Sequence, residues 1–122
     1  MPQHQDGFFI HQIKSFKYAF EGILFSFKKG THFKIHIVAV LLVAILGFIY
    51  KINSTEWLVL ILISSAVIAA ETMNTAIEEA CDVMHPEHHP GASLAKHCAA
   101  GAVLILSIAA VIIGSFIFLP RL

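Results

Sequence analysis

The sequence is poor in charged residues. Only 13% of its 122 residues are Asp, Glu, Lys or Arg, about half the fraction that soluble domains carry. Hydrophobic residues make up 57% of the chain, and they are gathered into long runs. This combination excludes an ordinary water-soluble domain and indicates an integral membrane protein.

The chain also has few cysteines, no net charge and no internal repeat. The two cysteines, Cys81 and Cys98, are too few for a disulfide-rich scaffold, so we expect two free thiols. The formal net charge is zero, and we expect no nucleic-acid partner. No repeat or low-complexity tract divides the chain, and its length predicts a single domain over residues 1–122.

The apolar runs predict three membrane helices, over residues 35–52, 57–80 and 92–119. Before them, residues 8–29 repeat an apolar side chain every three or four positions, with lysines off this stripe, which is typical of a helix lying in the membrane interface. We therefore expect an all-α membrane protein whose three transmembrane helices follow an N-terminal amphipathic surface helix. In the turn "KINST", Ser54 or Thr55 is the expected N-cap of the second span.

The lysines predict the orientation in the membrane. Five of them precede the first span: Lys14, Lys17, Lys28, Lys29 and Lys34. Because cytoplasmic segments carry the excess of basic residues, we expect a cytoplasmic N-terminus. Three spans then place the polar loop at residues 81–98 on the same side as the basic helix.

The stretch "AAETMNTAIEEACD" places acidic and amide residues at the end of an apolar span. Glu71, Asn74, Glu78 and Asp82 recur at spacings of three and four, which keeps them on one helix face. Glu71 lies ~21 Å along the helix from Trp57, a depth at which an ionisable group is costly and predicts function. The alternative is a polar face turned toward water or another chain.

Carboxylates at a membrane boundary can bind a divalent cation or take a proton from a hydroxyl group. Lys96, at the start of the third span, could neutralise phosphate, and the basic first helix could hold a lipid at the same depth. Together these residues suggest phosphoryl transfer from a water-soluble donor to a lipid hydroxyl.

The patterns "ExxNTAIExxxD", "HP" and "AKxxAAGAVL" resemble the signature of the small prokaryotic diacylglycerol kinase family. The segments "SFKYAFEGILFSF", "FKIHIVAVLLVAILGF" and "TEWLVLILISSAVIAAE" look most like its undecaprenol kinase branch, in which His36 fits an "IH" pattern. The resemblance covers about residues 13–119. It implies a homotrimer in the bacterial inner membrane, with a cytoplasmic active site, that uses ATP and Mg²⁺ to phosphorylate undecaprenol or diacylglycerol.

The resemblance also implies roles for single residues. Glu71 is similar to the catalytic base at the lipid hydroxyl, Asn74 to the asparagine that orders the site, and Lys96 to the lysine at the ATP phosphates. Glu78 and Asp82 are the expected metal ligands. The residues expected at the nucleotide are Tyr18, Glu78, Glu87, His88, His89 and Lys96. Those expected at the lipid are Glu71, Phe20, Phe33 and Lys34.

Three positions depart from the family pattern. Gly30 stands where a second metal-binding glutamate is usual, His97 replaces an aspartate after Lys96, and His11 aligns with an arginine of some members. Mg²⁺ prefers oxygen ligands and binds imidazole poorly, so the loss of two acids should weaken MgATP binding. We therefore expect His97 to have a catalytic role, as a general acid or as a phosphoryl acceptor.

The histidines keep other functions open. Four of them crowd one side of the membrane: His85, His88, His89 and His97. With the acids of the second span they could bind zinc, manganese or iron. The sequence thus predicts a lipid kinase first, a lipid phosphate phosphohydrolase with a histidine-containing metal site second, and a non-catalytic lipid-binding trimer third.

Overall fold

The computed structural model describes residues 7–122, apart from the side chain of Thr31. Over this range the chain forms four α-helices, α1 (Phe8–Lys29), α2 (Thr31–Ile49), α3 (Ser54–Met84) and α4 (Pro90–Phe118), and a final 3₁₀ turn at Leu119–Arg121. The last three helices are long and apolar enough to cross a membrane. The predicted all-α membrane fold, with three spanning helices after an N-terminal helix, is confirmed.

Helices α3 and α4 form the most extensive helix contact in the structure. They run antiparallel, as two ion pairs show: Lys96 pairs with Asp82 at one end, and Arg121 pairs with Glu56 at the other. The four-residue turn at residues 50–53 connects α2 to this hairpin at the Arg121 end. The α3–α4 hairpin therefore positions the polar residues of α3.

The end of the hairpin that holds Glu56 and Arg121, with the cluster around them, is called here the anchored end. Its buried cluster consists of Ile52, Leu60, Ile117 and Phe118, against which Trp57 packs. A Cβ on Gly47 would lie 2.6 Å from the Trp57 ring. Only glycine allows α2 to approach the indole so closely.

The N-cap of α3 differs from the sequence prediction. Asn53, rather than Ser54 or Thr55, is the cap, and that prediction is wrong. The Asn53 side chain accepts a hydrogen bond from the Glu56 backbone N–H at 2.9 Å, and the Glu56 carboxylate accepts one from the Asn53 N–H at 3.1 Å. This reciprocal capping box needs the glutamate three residues after the cap, a spacing that only Asn53 provides.

Helix α1 packs its C-terminal part against α2 and α3. Lys29 forms an ion pair with Glu79 of α3, and the rings of Phe27 and Phe33 meet edge to face at 5.9 Å. Its apolar stripe is otherwise uncovered, with Phe9 79% exposed and Phe16 67% exposed. The basic helix therefore lies at the same end of the bundle as the acids of α3, and its apolar side is open to the bilayer.

Candidate functional site

The predicted line of polar residues follows α3 from the interior of the bundle to its polar end. Glu71 is 3% exposed and Asn74 is 6% exposed, whereas Glu78 is half-buried and Asp82 is exposed. At a rise of 1.5 Å per residue, the line from Glu71 to Asp82 is about 16 Å long. Each of its four members has a different environment, described next.

Glu71 faces a histidine of the neighbouring helix. His36 Nε2 of α2 lies 3.6 Å from Glu71 Oε2, which is ion-pair distance and slightly longer than a hydrogen bond. The sequence associated His36 only with a family pattern and gave it no role. The signal for a role was present, because a histidine within an apolar span is costly and rare.

Asn74 and Glu78 interact one helical turn apart. The Asn74 amide donates from Nδ2 to Glu78 Oε1 at 3.1 Å, while Asn74 Oδ1 is buried and has no hydrogen-bond partner within residues 7–122. A buried acceptor without a partner is costly, and such an oxygen is available to bind a cation or a donor group. The two side chains thus present oxygen atoms of the kind that a hard cation such as Mg²⁺ prefers.

At the polar end, Asp82 and Lys96 border a cavity of about 220 Å³. Lys96 Nζ donates to Asp82 Oδ1 at 2.7 Å. Glu87 and His88, both expected at the nucleotide, line the same cavity. The structure therefore brings Lys96 together with two of its expected neighbours, and it pairs the lysine with a residue expected to bind metal.

His89 also borders this cavity, where it caps α4. Its Nδ1 accepts hydrogen bonds from the backbone N–H groups of Gly91 and Ala92 at 3.1 Å and 3.2 Å. Its ring stacks on that of His85 with the centroids 4.1 Å apart. Because Nδ1 is occupied by the cap, His89 has only Nε2 to offer a ligand.

A cluster of metal-binding side chains is not seen in the part of the chain that the structure describes. Within residues 7–122, no three His, Cys, Asp or Glu side chains lie close enough together to hold one ion. Mg²⁺ usually keeps several waters and is bound through one or two carboxylates together with substrate phosphates. Glu78 and the free oxygen of Asn74 fit that mode of binding.

The residues expected at the lipid divide into two groups. Phe20 and Phe33 line an apolar groove of about 410 Å³ between α1, α2 and α3, which Ile68 also borders. Lys34 is exposed, and its ammonium lies 5.9 Å from the centre of the Phe27 ring. The groove can hold a hydrocarbon chain, and Lys34 does not line it but lies near Phe27, which does.

Two predicted site residues are not brought to the acids of α3. Tyr18 and His97 are both exposed, and neither makes a hydrogen bond or an ion pair within the described range of 7–122. His97 follows Lys96 directly, so it lies on a different face of α4. Sequence adjacency to the lysine therefore does not place His97 at the Glu71 carboxylate.

Gly30 separates α1 from α2 in a turn that leaves no room for a side chain. Its N–H donates to the Ser26 carbonyl oxygen at 2.9 Å. A Cβ at this position would lie 2.9 Å from the same oxygen and 3.2 Å from Phe33 Cβ. The glutamate that the family resemblance leads us to expect here could be introduced only by moving the turn.

Comparison with known proteins assigns the family. Residues 17–118 match the sequence profile described as prokaryotic diacylglycerol kinase. The chain is 38% identical over 109 residues to an undecaprenol kinase of Bacillus subtilis, and the alignment covers 89% of each protein. The chain belongs to the prokaryotic diacylglycerol kinase family.

A second relative extends this assignment. A diacylglycerol kinase of Synechocystis sp. is also 38% identical over 109 residues, which cover 88% of this chain and 62% of the relative. The family and both relatives are lipid kinases by name. A membrane-embedded kinase thus agrees with the three apolar helices and with the acids of α3.

Proposed function

We propose that this protein transfers the γ-phosphate of ATP to the hydroxyl group of a lipid alcohol, either undecaprenol or diacylglycerol. The observation that carries the proposal is the Glu71 carboxylate, 3% exposed within an apolar helix and facing a histidine. A carboxylate buried there costs stability, and a proton-accepting role explains why the chain keeps it. The names of both relatives support the reaction class.

The proposed reaction begins with the lipid hydroxyl at Glu71. The Glu71 carboxylate accepts the hydroxyl proton as the lipid oxygen forms a bond to the γ-phosphorus of ATP. The bond from that phosphorus to the β,γ-bridging oxygen breaks, and ADP leaves with the electron pair. Glu71 then releases its proton and is ready for another turnover.

The remaining polar residues would hold the phosphates. Lys96 and the 220 Å³ cavity beside it are suited to neutralise and enclose them once the lysine exchanges its Asp82 partner for phosphate oxygens. Glu78, held by Asn74, would hold the divalent cation together with Asn74 Oδ1. A bound Mg²⁺ supplies positive charge that stabilises the transferring phosphoryl group.

We also propose that the site faces the cytoplasm of a bacterium, from its inner membrane. The Lys29–Glu79 ion pair joins the basic helix to the polar end of α3, which supports a common side for both. A homotrimer is proposed from the family resemblance. Leu104, Ile105 and Val111 of α4 are each at least 60% exposed, which leaves apolar surface for neighbouring copies or lipid.

The direct test is transfer of radiolabelled phosphate from ATP by the purified, detergent-solubilised protein. Undecaprenol and diacylglycerol are offered separately, each with magnesium, manganese or zinc, and the Glu71→Gln variant serves as the control. Labelled lipid formed by the native protein and not by the variant is the expected result. No labelled lipid under any condition would refute the kinase, and phosphate release from a lipid phosphate with zinc alone would favour the hydrolase.

A further inference from the structure

The closest basic group to the buried carboxylate comes from a different helix. Among the described residues, His36 is the one basic side chain within ion-pair distance of Glu71, with Nε2 3.6 Å from Oε2. Its side chain is 20% exposed and that of Glu71 is 4% exposed. The two residues are 35 positions apart in sequence, so the packing of α2 against α3 creates the pair.

An unpaired carboxylate at this depth would carry a large desolvation cost. Water is largely excluded from Glu71, and among residues 7–122 its carboxylate forms no ion pair other than that with His36. A nearby imidazole compensates part of this cost, either as a hydrogen-bond donor or as a cation. A shift of about 0.5 Å, which small side-chain rotations allow, would bring the two atoms to hydrogen-bond distance.

His36 also borders open space between the helices. It lines a cleft of about 210 Å³ between α2, α3 and α4, which Val67 and two serines, Ser64 and Ser107, also line. These neighbours are small or apolar, so none of them competes with Glu71 for the imidazole as a charged partner. The cleft leaves the ring free to adjust toward the carboxylate as the lipid hydroxyl approaches.

We propose that His36 is a positioning residue that fixes the orientation and the charge of the Glu71 carboxylate for proton abstraction. This inference rests on the proposed function, in which Glu71 is the base. It assigns to α2 a part in a reaction whose other side chains come from α3 and α4. It also explains a histidine near the start of the first membrane span.

The kinetic test compares His36→Leu with His36→Gln. Leucine removes the donor and should lower kcat for lipid phosphorylation about ten- to a hundredfold, because a small misplacement of a reacting group has effects of that size. The KM for ATP should stay within about twofold, since the nucleotide cavity is not touched. Glutamine keeps an N–H donor at similar reach and should restore kcat to within about fivefold of the native value.

His32→Leu is the matched control, because His32 is an exposed histidine one turn earlier on α2. Its kcat should equal that of the native protein. A His36→Gln variant as slow as His36→Leu, or a His36→Leu variant altered only in KM, would overturn the proposal.

A stability measurement tests the same pair without catalysis. The Tm is measured for the native protein, for His36→Leu, for Glu71→Gln and for the double variant. His36→Leu should lower Tm in the native background, where it leaves a buried carboxylate unpaired, and should have little effect once Glu71 is glutamine. An equal loss of Tm in both backgrounds would overturn the pairing.

The two tests separate this inference from the proposed function. If the native protein phosphorylates no lipid, the proposed function fails, and the four Tm values still decide whether His36 and Glu71 interact. If the protein is an active kinase but the Tm effects are independent and His36→Gln does not restore kcat, the inference alone fails.

Discussion

The two ends of the α3–α4 hairpin use glutamates in opposite ways. At the anchored end, Glu56 accepts hydrogen bonds from the Asn53 backbone and from two nitrogens of Arg121, at distances between 2.8 Å and 3.1 Å. At the other end, Glu71 has a histidine at 3.6 Å, and Asn74 has a buried oxygen without a partner. Polar groups whose hydrogen bonds are all made within the protein stabilise its structure, whereas polar groups without such partners can bind a ligand.

The two ends also differ in how tightly their side chains pack. The anchored end is filled by Ile52, Leu60, Ile117 and Phe118, and Gly47 lets Trp57 close against α2. The acid-bearing end instead contains an open cavity of about 220 Å³ and exposed residues from Val83 to Gly91. One end therefore holds the helices in register, and the other is open to solvent, where the proposed substrates would bind. The following variants test this division, from the largest expected effect to the smallest.

Glu71→Gln should have the largest effect. The loss of a general base is expected to lower the rate of phosphate transfer about 10²- to 10⁴-fold. Tm should stay the same or rise, because a buried carboxylate is replaced by a neutral isostere. Glu79→Gln is the control, since Glu79 lies on the same helix but pairs with Lys29, and it should keep the native rate. Equal rate losses in both variants would contradict a specific role for Glu71.

Lys96→Met should weaken nucleotide binding. Removal of the ammonium leaves the phosphates without a charged donor and should raise the KM for ATP about tenfold or more. The lipid KM should change little, because the apolar groove at Phe20 and Phe33 is formed by other helices. Titration of the initial rate against ATP and against lipid measures both constants. A change confined to the lipid KM would contradict the assignment.

Gly47→Ala should destabilise the anchored end without slowing the reaction. The added methyl group would meet the Trp57 ring at 2.6 Å, and overpacking of this kind costs about 1–3 kcal/mol. Thermal unfolding in detergent should show the loss, while kcat stays native at temperatures below the transition. Gly114→Ala is the control, because a Cβ there meets nothing within 4 Å. An unchanged Tm for Gly47→Ala would contradict the close packing.

Gly30→Ala should have the smallest effect. The new Cβ would lie 2.9 Å from the Ser26 carbonyl oxygen, so the turn must adjust, at a cost of about 1 kcal/mol. Gly22→Ala, at a helical position with open space around it, should be neutral or slightly stabilising. A Gly30→Ala protein with higher stability than the native one would show that the turn accepts a side chain.

Periodicity in the sequence was sufficient to predict the helices and the common face of the α3 acids. The spacing of Glu71, Asn74, Glu78 and Asp82 depends only on the geometry of one helix, so it needs no knowledge of neighbours. The N-cap at Asn53 was missed because Ser54 and Thr55 are equally good caps by residue type. The choice between them follows from the reciprocal bonds with Glu56.

Contacts between helices were beyond the sequence. The pairs His36–Glu71, Asp82–Lys96 and Glu56–Arg121 depend on how α2 and α4 are rotated and shifted against α3. The residue pattern within a single helix does not determine how that helix is placed against its neighbours. For the same reason, sequence patterns could not distinguish Tyr18 and His97 from Lys96, although within residues 7–122 the structure leaves both of them exposed and without hydrogen bonds or ion pairs.

The most direct test of the division between the two ends is a paired measurement on Glu71→Gln and Arg121→Gln. Both the rate of phosphate transfer to lipid and the Tm are determined for each variant and for the native protein in one detergent. The account predicts a crossed result: Glu71→Gln loses the rate and keeps its Tm, whereas Arg121→Gln loses several degrees of Tm and keeps its rate below the transition. Two variants that each lose both properties, or an Arg121→Gln protein that is stable but inactive, would contradict it.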